Sequence, residues 1–206
     1  MNKVFLHVGC GRSRKENTTA TFAGPDWKEL RLDIDPAAQP DFIGSMTDMK
    51  MVEAESVDAL FSSHNIEHLY AHEVPLALHE FLRSLKPDGF AVITCPDLQS
   101  VAALIAADKL TETAYMSPAG PIAPIDILYG HRPSLAAGNL YMAHKCGFTK
   151  KVLGATLLQG GFRHAATLER GAPYFDLWAV ATKGTIDEEG LRELAGQHFP
   201  ASGTAI

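Results

Sequence analysis

Close to the N-terminus an apolar run, Val4-Phe5-Leu6-His7-Val8, stops at Gly9-Cys10-Gly11. A run of this length bounded by glycine reads as a buried strand, and the glycines let the backbone turn sharply and come close to a ligand. The chain is therefore expected to open with a strand feeding a nucleotide-type binding turn.

The elements that follow fit that start. Glu29 to Asp35 gives a second strand closed by Pro36, with Asp33 near its carboxyl end; Asp41 to Gly44 gives a weak third and Ser56 to Ser63 a firmer fourth. From His72 to Lys86, Val74, Ala77, Leu78, Phe81, Leu82 and Leu85 recur at helical spacing, and Lys86-Pro87-Asp88-Gly89 ends the pattern with a turn. Phe90 to Cys95 is a buried strand, and Asp97 is placed to cap a helix from Leu98 to about Asp108. Thr149 caps a helix to Leu158, and Arg163 to Leu168 and Phe175 to Thr182 read as a closing pair of strands. Arg12 to Trp27 lacks apolar periodicity and predicts a loop or a short frayed helix.

Strands alternating with helices, then a hairpin, predict an α/β fold with a mostly parallel sheet and an antiparallel C-terminal edge. Ligands in such sheets bind at the carboxyl ends of the strands, where Gly9 to Gly11, Asp33, Asp48, Ser63 and His64 all fall. Residues 1–183 are expected to form one domain, with a lid-like insertion at about 110–148 and a tail over 184–206 that offers one short helix around Glu188 to Leu194 before it frays. The insertion breaks the rhythm of the chain, and its density of Ile, Leu and Tyr predicts an ordered lid.

Composition narrows the class. With 206 residues, 46% of them apolar, there is material for one sizeable core, and a net charge of −6 gives no electrostatic reason to expect nucleic acid or a membrane surface as partner. Cys10, Cys95 and Cys146 are odd in number and widely spaced, which predicts reduced thiols in a cytoplasmic protein. No apolar run approaches the roughly 20 residues of a membrane span. Oligomeric state is left open, a homodimer being one option.

Which ligand the turn serves depends on Arg14. A dinucleotide fingerprint places a third glycine there, opening a helix whose N-terminus holds a pyrophosphate. S-adenosylmethionine has no phosphate, so a shorter turn suffices, and a carboxylate one strand over, Asp33, can accept its ribose hydroxyls.

Four segments then carry a resemblance: Val8-Gly9-Cys10-Gly11, Leu32-Asp33-Ile34-Asp35, Ser62-Ser63-His64-Asn65-Ile66-Glu67-His68-Leu69 and Leu85-Lys86-Pro87-Asp88-Gly89. In order and spacing over about residues 4 to 98 the sequence resembles class I S-adenosylmethionine-dependent methyltransferases of the type 11-like group, with a Rossmann-like, doubly wound sheet. The resemblance implies that Val8, Gly9, Cys10 and Gly11 line the methionine end and that Asp33, with Ile34, meets the ribose. It further implies that Asp48 and Met49 flank the adenine and that Ser63 and His64 lie near the sulfonium. Ser45 stands where many relatives carry an acid for the adenine amine, and Arg12 is expected to help hold the methionine carboxylate.

His64, Glu67 and His68 could share one face if they lay on a helix, a spacing also found in inverted zinc peptidases. The reading adopted is that His64 contacts the cofactor while Glu67 and His68 are structural, with no metal assigned. His64, His131 and His144 are the candidates for a general base, and Tyr129 and Tyr141 could shape an acceptor pocket. The expected function is methyl transfer to a small-molecule acceptor. The alternatives are a non-catalytic cofactor-binding domain and a metal-dependent hydrolase built on His64, Glu67 and His68.

Overall fold

The computed structural model describes residues 3–200. Its centre is a seven-stranded sheet built from β1 (Lys3–Val8), β2 (Trp27–Asp33), β3 (Phe42–Ile43), β4 (Val57–Ser63), β5 (Leu85–Pro96), and a late pair, His164–Arg170 and Asp176–Thr182. The strand order is β3, β2, β1, β4, β5, then Asp176–Thr182, then His164–Arg170 at the edge. The first five run parallel, and Asp176–Thr182 is antiparallel to both of its neighbours. The reversed strand of the hairpin thus lies inside the sheet. All seven of its residues are buried, whereas His164–Arg170 is half-exposed along its length, as an edge requires.

Period-two alternation sorts side chains to two faces. On one face Leu6, Val8, Leu60 and Ile93 pack beneath Phe81 of α2 (Val74–Ser84) and beneath Leu153 from a late helix, Lys150–Gln159. On the other, Phe5, Phe61, Val92 and Trp178 pack against Phe22 of α1 (Ala20–Ala23) and against Ala195 from the C-terminal helix Glu188–His198. The Lys86-Pro87-Asp88-Gly89 turn is taken up within β5. Val57 pairs with Leu85 and Ala59 with Phe90, so the extra residues bulge out between two pairs of a continuous ladder.

The short helix read in the tail over Glu188 to Leu194 runs on to His198, and Glu188–His198 is capped by the Asp187 side chain on the N–H of Gly190. Its His198 ring sits 4.5 Å from Phe22 and 5.0 Å from Phe90 and shares a 3.0 Å hydrogen bond with Thr19 Oγ1. The four residues of α1 cover little of this aromatic face, and the C-terminal helix completes the cover.

The 110–148 stretch follows α3 (Leu98–Ala106), which is capped by Asp97 on Gln99 and Ser100. It forms a hairpin of β6 (Tyr115–Ser117) and β7 (Gly120–Ile122), then α4 (Pro124–Tyr129), α5 (Arg132–Ala136) and a 3-10 turn at Leu140–Met142. Ile122 and Ile127 share a small core with Val101 of α3 and with Phe175. Buried Asp126 receives Arg132 Nε at 2.6 Å and the N–H of Ala123 at 3.0 Å, bonds that hold its carboxyl down at about 2. No helix among the described residues is long and apolar enough to cross a membrane.

Candidate functional site

Strand order reverses between β1 and β4, so the crevice expected of an open α/β sheet lies at their carboxyl ends. A cleft of about 420 Å³ occupies it. Gly9 (φ 62°) and Gly11 (φ 51°) adopt the left-handed backbone that favours glycine. A Cβ on Gly9 would stand 2.0 Å from Asn65 Oδ1, while one on Gly11 would meet nothing within 4 Å. The first glycine therefore admits a packed side chain, and the second leaves room on the cleft wall.

Asn65 is the pin of this turn, since its Nδ2 donates to Val8 O at 3.0 Å and to Ser63 O at 2.9 Å, joining the ends of β1 and β4. Asp33 is the second, accepting from the Gly11 N–H at 2.7 Å and the Asp35 N–H at 2.8 Å. Arg31 is a third: buried beneath the turn, its guanidinium donates to Gly11 O at 2.6 Å and to Gln39 O at 2.8 Å. Sequence reasoning missed Arg31 and Asn65. An Arg amid an apolar strand was the only signal for the first, and nothing local marks the second.

Of the residues expected at the cofactor, Val8, Gly9, Gly11, Arg12, Asp33, Ile34, Ser63 and His64 line the cleft. Three lie outside its lining. Cys10 is 3% exposed and points into the fold, and burial pushes its thiol up to about 11. Met49 is fully buried in the core, while Asp48 faces solvent beside Lys50. The turn after β3 instead offers Gly44, Ser45 and Met46. The direction in which this turn points decides the matter, and no periodicity encodes it.

A second cavity of about 260 Å³ is lined in part by the 110–148 segment and shares His64, His68 and Met142 with the first. His64, Glu67, His131 and His144 line it along with Tyr115, Asp126 and Tyr174. Tyr141 lines the first cleft and not this one, and Tyr129 lines neither. His131 is tied to Ser134 Oγ at 2.8 Å at the start of α5.

Ile66–His68 is a single 3-10 turn and not a helix, so the helical spacing expected of His64, Glu67 and His68 is absent. The groups that converge are Glu67, His68 and His144, each offering one ligand-type atom within 4.8 Å of the others. His144 is brought there because the N–H groups of Lys145 and Cys146 both donate to Glu67 O, at 2.8 and 3.2 Å. His64 has φ 53°, an uncommon left-handed backbone for a side chain of this size, and its Nδ1 lies 3.4 Å from Glu67 Oε1. Burial alone would raise the Glu67 carboxyl, but His64 and then His68 and His144 draw it below the usual range. Burial would lower His64, and the Glu67 carboxylate lifts it above its ordinary value. His144 is pushed down by burial, with Glu67 only partly opposing.

Residues 6–93 match the model of a family described as a methyltransferase domain. No curated protein sequence matches the chain. Among solved structures it is similar to the PH0226 protein from Pyrococcus horikoshii OT3, with TM-score 0.60 and 14% identity over 88% of this chain and 82% of that one. It is also similar to 1,6-didemethyltoxoflavin-N1-methyltransferase from Burkholderia thailandensis, solved with 1,6-didemethyltoxoflavin and S-adenosylhomocysteine; there the TM-score is 0.55 and identity 16%, over 89% and 72% of the two chains. A third, from Bordetella parapertussis and described as a possible exported protein, gives TM-score 0.53 and 19% identity over 89% of this chain and 62% of that protein's length. These identities speak for the fold, and the family match covers the strands and turns that build the cleft. Residues 6–93 thus match a methyltransferase domain on a fold shared with these structures, which supports a class I S-adenosylmethionine-dependent methyltransferase.

Proposed function

We propose that the protein methylates a small-molecule acceptor seated in the second cavity, with S-adenosylmethionine in the first. The observation carrying this reading is that the two cavities meet at His64, His68 and Met142, so that a donor in one reaches an acceptor in the other.

The cleft suits the cofactor. Gly11 leaves open space where a side chain would intrude, and Leu32, Ile34, Ala38 and Met46 offer apolar surface for a flat base. Each Asp33 oxygen accepts one backbone N–H and keeps acceptor capacity for a ribose hydroxyl. Asp35 spends one oxygen on the Ala37 N–H and lines the same wall. In the proposal Arg12, on the cleft wall, pairs with the methionine carboxylate.

When bound, the cofactor supplies an electrophilic sulfonium methyl. The chain's task is to hold the acceptor atom in line with it and to keep water out, which the 110–148 segment over the second cavity serves. His64, at the junction and oriented by Glu67, takes the role of proton acceptor for a hydroxyl or amine. His131 belongs to the lid in this reading.

S-adenosylhomocysteine is expected to raise the melting temperature of the wild type and not of Asp33→Ala. Incubation with S-adenosylmethionine and a metabolite panel is expected to release S-adenosylhomocysteine with some acceptor. Stabilisation without turnover across small molecules, with turnover on a protein or nucleic acid, overturns the acceptor class.

A further inference from the structure

We propose that Glu67, His68 and His144 form a binding site for a divalent transition-metal ion of the zinc class, opening on the second cavity. The inference deepens the proposed function by naming what would hold the acceptor, and it rests on that reading only for the cavity's role.

Three independent features meet at this cluster. The first is proximity, since the three ligand-type atoms lie within 4.8 Å of one another, against roughly 3.4 Å in a closed tetrahedral site with bonds near 2.1 Å. The second is the state of the imidazoles. His68 Nδ1 lies 3.1 Å from Ala143 O, and His144 Nδ1 lies 2.7 Å from Ile127 O. A carbonyl can only accept, so each Nδ1 carries a proton, and a neutral imidazole held this way presents the lone pair of Nε2. This is the arrangement in which metal-bound histidines are held by an outer carbonyl.

The third feature is Glu67 itself. It is 1% exposed, and neither Oε1 nor Oε2 has a hydrogen-bond partner among the described residues. A buried carboxylate without donors is costly, and such groups are normally paired or metal-bound. His64 is the nearest basic side chain, and its Nδ1 stands 3.4 Å from Oε1 and leaves Oε2 unaddressed. A divalent ion would supply the missing charge.

Two imidazoles and one carboxylate suit zinc, iron(II) or cobalt(II) better than magnesium, which prefers oxygen. Three protein ligands leave coordination positions free. These face a cavity walled by Tyr115, Asp126 and Tyr174, so the acceptor class implied is one with an oxygen or nitrogen donor that can enter the ion's shell.

The test uses untagged full-length protein stripped with a chelator. Zinc is titrated by calorimetry, and cobalt(II) by the visible absorption of a low-symmetry site. One equivalent is expected to bind. Glu67→Gln and His144→Gln are expected to weaken it by more than the roughly 10–100-fold that loss of an outer-shell partner costs. His79→Ala, an exposed histidine on α2, should bind as the wild type does. Melting temperatures without metal show that the variants fold. Absence of a stoichiometric site in the wild type, or binding that survives both substitutions, overturns the proposal. S-adenosylhomocysteine stabilisation measured in parallel separates the two readings: its absence with metal binding intact removes the methyltransfer scheme and leaves the metal site standing.

Discussion

His198 makes acid sensitivity a property of the C-terminal helix, Glu188–His198, and the size of the effect follows from its surroundings. The ring is 2% exposed, wedged against Phe22 and Phe90, with Nδ1 on Thr19 and Nε2 without a partner among the described residues. Burial pushes its pKa from the usual 6.5 down to about 4. The unfolded chain therefore binds a proton near pH 6.5 that the folded chain takes up only near pH 4, and stability falls as pH falls through that window. Between pH 7.5 and pH 5 the loss comes to about 2 kcal/mol, since a tenfold change in proton affinity is worth about 1.4 kcal/mol. For a chain of this size that corresponds to roughly 4–8 °C in melting temperature. Other groups titrate over the same range, so the comparison is between wild type and His198→Gln, which keeps a polar contact to Thr19 and cannot take up the proton. Urea unfolding at both pH values measures it. At pH 7.5 the variant is expected to be the less stable, and the gap is expected to close by about 2 kcal/mol at pH 5. A gap that stays constant refutes the claim that His198 is buried neutral, and with it the docking of this helix over Phe22.

Further outcomes follow from the cleft. Asp33→Ala leaves the N–H groups of Gly11 and Asp35 without acceptors, which is expected to cost about 1–3 kcal/mol for each that stays buried; calorimetry should also show S-adenosylhomocysteine binding lost. Gly9→Ala drives a Cβ into Asn65 and puts an L side chain on a left-handed backbone, costing about 1–2 kcal/mol for the backbone alone, so a lower melting temperature and weakened cofactor binding are expected together. Asn65→Ala unties the ends of β1 and β4 and is expected to weaken cofactor binding although its side chain is replaced by a smaller one. His64→Ala is expected to retain cofactor binding and to lose turnover by roughly 10²–10⁴-fold, the range for a proton acceptor; unchanged turnover would remove that role.

The elements whose apolar period matches their backbone are legible in the sequence. The helix over Val74–Ser84 and the strands ending at Val8, Asp33 and Ser63 lie close to where their patterns put them, because burial of a periodic face is a local consequence of the order of residues. The glycine turn is legible for the same reason, since a positive φ at Gly9 and Gly11 is a demand that glycine meets cheaply. The helix capped by Asp187 runs longer than its pattern suggests, because its anchor, His198, sits among aromatic rings supplied by residues far away in the chain.

What tertiary structure alone decided is which side chains meet. Asp48 and Ser45 are three residues apart, and only the direction of the turn after β3 sets Ser45 on the cleft and Asp48 in solvent. Glu67 and His144 are far apart in sequence, and backbone hydrogen bonds from Lys145 and Cys146 bring them together. The sequence by itself determined the sheet, the glycine turn and the acid at the end of the second strand, since each is stated by neighbours in the chain. The second cavity and its Glu67, His68 and His144 cluster come from long-range contacts of a lid that has no period, and such contacts exist only once the chain has folded.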